Sequence, residues 1–446
     1  MLAWSALVEQ LAAGPERTLV VCDDPWLFRH LAAQKGVEAG RAPPLFPAEL
    51  KLRLRGILAQ TRAGLRFAHA AWRLRHQRTW LPQDRPALLV YGHPASTAEG
   101  GDAYFGTLMD HASLIRLLHI DAGLERVAAL ARPGRTASLH AFGSPLAAVA
   151  VMGARWRPRA AGPLAWLIRR AAMREGGTAQ SAAIAWQIHC QRRWLDQARP
   201  QVVAWPWENH GWERQFVRDC RQRQVRTLGY QHATIGQGEW NYHAGSNPDG
   251  RDSLPDRIAC SAVAYVRQLA DWGIPAERLV NAGSWRIPDI PKRVSDPQGA
   301  VFVALPANAP LARQIVDACR AQVPAGWRFL VREHPMTPVG FEPQAGLERA
   351  PGSLFTCDGI RAVVFAATTV GLEAALAGLP AIRFLPVSIV ANDICPAGLT
   401  VPTATAEDLG RVLETAHPVE NAHDFTFTGA DPALWCRLLN MEKVDD

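Results

Sequence analysis

In the stretch QVVAWPWENHGWERQF, an acid, an amide and an imidazole stand side by side where an apolar run ends: Glu208, Asn209 and His210. A second run, VRTLGYQHAT, ends on Gln231 and His232. A carboxylate near an imidazole is a common means of taking a proton from a hydroxyl or of attacking an electrophilic carbon. Glu208 and His232 are therefore the candidate catalytic pair. Each also has a structural alternative: Glu208 as a helix N-cap or loop ion pair, and His232 as a strand-end histidine with its ring satisfied. Glu213 falls on a helix expected to begin near Gly211, where Arg214, Arg218 and Arg257 are its expected partners.

Two further constellations suit an anion. VREHP puts Arg332, His334 and Pro335 at a strand end. FAATTVGLEAALAGLPAI carries a buried run to Thr368 and Thr369 and turns directly into a helix bearing Glu373, with Gly378 closing it. The free N–H groups and positive dipole end of such a helix attract anions, and threonine hydroxyls add donors. The alternative for the threonines is N-capping. Asp102 and Tyr104 lie in a Gly-rich loop, and Trp240 and His243 follow the second run; aromatic faces of this kind stack on sugars. With Gln231 they form a candidate acceptor set. Arg286 precedes the Pro-rich stretch RIPDIPKRVSDPQG and suits a phosphate or carboxylate.

These residues need strands whose carboxyl ends share an edge. RTLVVCDD, PALLVYGHP, QVVAWPWE and VRTLGYQHA read as strands, with DRIACSAVAY and ERLVNAGSWR as weaker ones. After the Pro-rich linker come strand AVFVALPA, helix LARQIVDACRAQ, strands WRFLVREHP and AVVFAATT, helix VGLEAALAG and strand LPAIRFLP. This β-α-β alternation predicts doubly wound parallel sheets, which bind ligands at strand carboxyl ends. The expected division is an N-terminal Rossmann-like domain over 1–286, a linker over 287–299, and a second Rossmann-like domain over 300–446 whose last helix or tail packs back on the first.

The 446 residues are 48% hydrophobic and 20% charged, a globular composition long enough for two domains. No run of about 18 apolar residues suggests a membrane span, and the N-terminus lacks a basic signal-peptide region. Eight scattered cysteines without a C-x-x-C pair fit a reducing cytoplasm. The net charge of +7 is concentrated in KLRLRGILAQTRAGLRFAHAAWRLRHQRTWL and GARWRPRAAGPLAWLIRRAAMRE. Both read as amphipathic helices with solvated basic faces, or as contacts with an anionic membrane surface. No nucleic-acid module accompanies them.

TTVGLEAALAGLPAI resembles the nucleotide-binding segment of GT-B glycosyltransferases. The preceding His-Pro looks like that of bacterial sialyltransferases and Kdo transferases, which use CMP-activated sugars; their motif often has Lys two residues before the histidine, where this chain has Arg332. ENHGWER, TLGYQHATIGQGEWNYH, LPDRIACSAVAYVRQLADWGIPAERLVNAGSWR and, upstream, GGDAYFGTLMDH resemble a family of bacterial capsule, lipopolysaccharide and O-antigen biosynthesis proteins. The resemblance implies a GT-B fold with a donor cleft. His334, Pro335 and Arg332 would meet the nucleotide, Thr368 and Thr369 its phosphate, Glu373 the ribose, and Arg286 the phosphate or a sugar carboxylate. Glu208 would be base, nucleophile or positioning group, in an inverting or a retaining reaction.

The expected activity is transfer of Kdo or a related nonulosonic acid from a CMP donor to an oligosaccharide or lipid-linked glycan. The enzyme would be cytoplasmic or peripheral on the inner membrane face, and would not bind nucleic acid. No D-x-D pattern sits at a clear strand end, and a protein cation suits a one-phosphate leaving group, so no metal and no cofactor are expected. The alternatives are a UDP- or GDP-hexose transferase, a GT-B-like sugar-nucleotide epimerase and a non-catalytic subunit.

Overall fold

The structure is a computed structural model, and it describes residues 1–286, 290–335, 337–420, 422–425 and 429–440. Of the expected linker, residues 287–289 lie outside the described residues. The chain forms two compact units, 1–98 with 114–200 and 99–113 with 201–446.

Among the described residues there are thirteen strands. β1 (Ala87–Val90), β2 (Ile115–Leu118) and β3 (Thr136–Ser138) belong to the first unit. The second unit holds β4 (Val202–Pro206), β5 (Arg226–Gln231), β6 (Arg257–Cys260) and β7 (Leu279–Asn281). It also holds β8 (Ala300–Ala304), β9 (Phe329–Arg332), β10 (Leu347–Arg349), β11 (Ile360–Phe365), β12 (Ala381–Phe384) and β13 (Thr403–Ala404). Within the first unit the order is β3-β2-β1, and within the second β4-β5-β6-β7 and β10-β9-β8-β11-β12-β13. The ladders from β4 to β7 and from β8 to β13 are parallel. The fold is α/β with Rossmann-like parallel sheets.

The local reasons are ordinary ones. β4, β8 and most of β11 are buried on both faces, as parallel strands under helices must be. The helix Ala309–Gln322 starts on Asn308, whose side chain accepts from Leu311 N–H, with Pro310 in its first turn. The helix Val370–Ala377 ends on Gly378 at φ +87°, the left-handed C-cap that glycine adopts without strain. Val301, Val303, Phe329, Val364, Ile382 and Leu413 share the core of the six-stranded sheet. Its strand order reverses between β8 and β11, so the crevice at their carboxyl ends is the switch point where such sheets take ligands. The helix Pro432–Asn440 packs on β4, and its Trp435, fully buried, gives its indole N–H to the Ala282 carbonyl at 3.0 Å.

Two expectations are corrected. RTLVVCDD forms no strand: Leu19 and Val21 are about nine-tenths exposed, while Cys22 packs against the small core of Val8, Leu27 and Leu31. The basic stretch from Gly153 is helical only over Ala165–Arg174, after Pro158 and Pro163, which lack the N–H that a helix interior uses. The stretch from Lys51 does lie in one long helix, Leu45–Leu74.

Candidate functional site

Glu208 and His232 follow the carboxyl ends of adjacent parallel strands, β4 and β5. The strands seat them through tryptophan packing. Trp205 and Trp207 are fully buried, and Gly229 in β5 leaves room for the Trp207 ring, 2.9 Å from where a Cβ would stand. The Trp207 N–H bonds the Tyr230 carbonyl at 2.7 Å.

The loop between β4 and the helix Gly211–Arg221 is held by Glu213. Its buried carboxylate accepts the Trp205 indole N–H at 2.9 Å and the backbone N–H groups of Glu208, Asn209 and His210 at 3.1, 3.2 and 3.2 Å. Sequence reasoning paired Glu213 with arginines; the structure gives it a capping box, in which a first-turn Glu reaches back to the N-cap backbone. The available signal was His210 followed three residues on by Glu213. Burial pushes the Glu213 pKa up to about 7, against the pull of these donors. Asn209, at φ +54°, is fully buried and donates to the Asn241 carbonyl and the Asn247 amide oxygen, both at 2.7 Å. Arg214 closes the loop on the Asn209 carbonyl at 2.8 Å.

The Glu208 carboxylate stands between two imidazoles. One oxygen meets His210 Nε2 at 2.7 Å and the other lies 3.7 Å from His232 Nε2. The His210 bond is the main reason that the Glu208 pKa is lowered; burial opposes it, and His232, His210 and Arg286 add to the lowering. The same bond raises the pKa of the half-exposed His210. His232 behaves oppositely: burial lowers its pKa to about 4, with Arg286 helping and Glu208 opposing. Its Nδ1 is buried without a well-formed hydrogen bond. At neutral pH the site thus holds an ionised Glu208 and an unprotonated His232.

Tyr104 and Arg286 complete this group. The Tyr104 ring lies edge-on to His232 at 5.0 Å between centroids, and the Arg286 guanidinium sits 5.9 Å from the Tyr104 ring centre. The Tyr230 hydroxyl accepts the Trp285 N–H at 3.0 Å and Ser284 Oγ accepts the Arg286 N–H at 3.2 Å, which fixes the backbone that presents Arg286.

The second constellation lies at the switch point of the six-stranded sheet. Thr368 and Thr369 follow β11, and Thr369 is the N-cap position of the helix Val370–Ala377. Thr368 Oγ accepts the Val370 N–H weakly, at 3.4 Å. The Glu373 pKa is raised by burial, while its bond to the Thr369 hydroxyl and the charges of Arg332 and Arg286 pull it down. Arg332 ends β9 and is exposed; His334 is half-buried, its carbonyl accepting the Thr337 N–H at 3.1 Å, and Pro335 is exposed. The charge of Arg286 is a lesser cause that lowers the pKa values of Glu208 and His232, after β4 and β5, and of Glu373, after β11.

The remaining candidates serve local structure or stand apart. Gln231 accepts Ser261 N–H and Oγ–H, both at 3.0 Å, and donates to the Ala233 carbonyl. Asp102 accepts the Tyr104 and Phe105 N–H groups at 2.9 and 3.2 Å, which shapes the loop that carries Tyr104. Trp240 is largely exposed and stacks on Trp272 at 6.0 Å, with His243 beside both rings. His243 Nδ1 also accepts the Gly245 N–H at 2.9 Å. Among the described residues no group of three or more His, Cys, Asp or Glu side chains is arranged to hold a metal ion.

No protein-family model matches the chain, and no curated protein matches it significantly. Among solved structures it is similar to the UDP-N-acetylglucosamine 2-epimerase from Rickettsia bellii, at 12% identity and TM-score 0.45 over 80% of this chain and 95% of that one. It is similar to the glycosyltransferase SnogD from Streptomyces nogalater, at 14% identity and TM-score 0.40 over 81% and 96% of the two chains. It is also similar to the UDP-GlcNAc 2-epimerase from Neisseria meningitidis bound to UDP-GlcNAc, at 10% identity and TM-score 0.40 over 80% and 98%.

Proposed function

We propose that this chain transfers a sugar from a nucleotide-activated donor to a glycan acceptor in bacterial surface-polysaccharide assembly, with CMP-linked Kdo or a related nonulosonic acid as donor. The observation that carries the reading is the Glu208 carboxylate held between His210 Nε2 at 2.7 Å and His232 Nε2 at 3.7 Å where β4 and β5 end, with Tyr104 against His232 and Arg286 beside Tyr104. A donor phosphate or sugar carboxylate would be met there by Arg286 and Arg332. Glu208 and the neutral His232 would face the reacting carbon and the acceptor hydroxyl, as nucleophile or base. Thr368, Thr369, His334 and Pro335 would line the nucleotide side, and Tyr104 the sugar. The exposed basic and apolar helix Leu45–Leu74 supports peripheral contact with an anionic membrane, where lipid-linked acceptors are found.

Thermal unfolding with nucleotides tests the donor. CMP at 100 times its Kd stabilises by about 2.7 kcal/mol and raises the melting temperature, whereas UDP and GDP do not. Stabilisation by UDP or GDP without CMP overturns the CMP donor. Acceptor-free turnover of a UDP-sugar identifies an epimerase instead.

A further inference from the structure

The first unit contains a cavity of about 780 Å³ that has no part in the chemistry above. Three helices build it: Pro25–Leu31, Leu45–Leu74 and Ala165–Arg174, packed on one another, with the segment around Trp156. Asp24 anchors the assembly. It caps the first helix through the Trp26 and Leu27 N–H groups and pairs with Arg170 at 2.7 Å.

The lining combines two chemistries. Five arginines face one acid, Glu49. Arg53 is paired with that acid at 3.6 Å, and Arg29 is taken up by the Pro25 and Pro43 carbonyls. The side chains of Arg155, Arg157 and Arg169 have no hydrogen bond or ion pair among the described residues. The rest of the wall is aromatic and aliphatic, with Trp26, Trp156, Trp166, Leu52 and Met173. The Trp166 ring is stacked on His30 at 4.6 Å, and its indole N–H is buried with no acceptor among the described residues. A buried donor without an acceptor costs about 1–3 kcal/mol, which a ligand oxygen would recover.

The surface of the same unit shows where such a ligand comes from. On the helix Leu45–Leu74, Phe46, Leu50, Leu54, Ile57 and Leu58 recur every three or four residues and are exposed, so they form an uncovered apolar stripe. Lys51, Arg55 and Arg62 are exposed beside it. Trp156, on the cavity wall, is also exposed. Apolar side chains next to uncompensated arginines complement an anionic bilayer surface, where the acyl region takes the stripe and the phosphates meet the cations. A soluble anion would leave the stripe in water.

We propose that this cavity binds the phosphate headgroup of an anionic phospholipid, with the lipid phosphate on Arg155, Arg157 and Arg169 and the apolar stripe in the membrane surface. The proposal deepens the peripheral-contact part of the functional reading and is independent of the transfer chemistry.

The test is flotation of the full chain with vesicles of phosphatidylcholine alone or mixed with phosphatidylglycerol. The chain binds the mixed vesicles, binding weakens with added salt, and the triple variant Arg155→Ala, Arg157→Ala, Arg169→Ala loses at least tenfold in affinity at an unchanged melting temperature. If the triple variant melts early, the single change Arg157→Glu, at an exposed residue, decides, with the same loss expected. Unaltered vesicle binding by these variants overturns the cavity while leaving the peripheral contact by the stripe intact. Equal binding to both vesicle types overturns both. If inorganic phosphate raises the melting temperature through the same arginines and vesicles give no further protection, the site is one for a soluble anion and the lipid proposal fails.

Discussion

Replacing Glu213 by Gln is the sharpest test of how the loop between β4 and the helix Gly211–Arg221 is held. The carboxyl is buried, and its pKa is raised from 4.5 to about 7, with burial as the leading cause. The folded chain therefore binds this proton more tightly than the unfolded chain. Such a group favours folding most at low pH, and its contribution falls as pH rises through the interval from 4.5 to about 7. A shift of this size is worth ~3 kcal/mol, lost once pH exceeds the folded value. Gln resembles the neutral acid in shape and keeps one oxygen for the Trp205, Glu208 and Asn209 donors that crowd Oε2. The variant is thus expected to match the parent near pH 5 and to exceed it in stability near pH 8, by up to ~3 kcal/mol. Urea unfolding followed by tryptophan fluorescence at the two pH values measures this. Amide exchange at Asn209 and His210 tells whether the loop or the whole unit responds. An equal loss of stability at both pH values refutes the reasoning, because the carboxylate would then be charged throughout and the four N–H donors, not burial, would set its state.

Two core substitutions probe the frame around the site. Trp435→Ala leaves a cavity against Phe105 and Tyr230, whose ring centroids lie 5.8 and 5.0 Å away, and strands the Ala282 carbonyl. It is expected to cost about 3–5 kcal/mol in thermal or urea unfolding, and a loss under 1 kcal/mol would contradict the packing. Gly371→Ala places a methyl 2.2 Å from the Phe365 ring beneath the helix bearing Glu373. It is expected to cost about 1–3 kcal/mol and, on the transferase reading, to weaken stabilisation by CMP in the same melt, while an unshifted melt would show that Phe365 moves freely.

Much of the frame was legible because buried parallel strands are near-continuous apolar runs: VVAWP, AVFVA and RAVVF announce β4, β8 and β11 without help from tertiary structure. Short strands were not. β3 has three residues and β13 two, too few for any period. RTLVVCDD failed in the opposite sense, because an apolar run reads as a strand whether or not a neighbour exists to pair with it. Residue type and position picked out Glu208, His232 and Thr369, which follow strand ends, and Glu373 on the helix after β11. They did not separate Gln231, whose polar atoms are used within the loop, from the residues that present theirs to the site. The roles of Glu213 and Asn209 depend on which backbone N–H groups a bent loop turns inward. That is a property of three-dimensional closure and leaves only the capping-box spacing as a trace in the sequence.

The two histidines that flank Glu208 are not equivalent, and the difference bears on which group could take a proton. His210 is tied to the carboxylate at 2.7 Å, and that bond raises its pKa and lowers that of Glu208. His232, neutral because it is buried, keeps Nε2 3.7 Å from the other oxygen. Both Glu208 and His232 are weak bases here, and Arg286 contributes to that weakness in each. On the transferase reading, a donor phosphate bound at Arg286 would offset its charge and raise both pKa values together. Base strength would then increase only once a donor is in place, and an acceptor hydroxyl arriving first would meet the weaker bases.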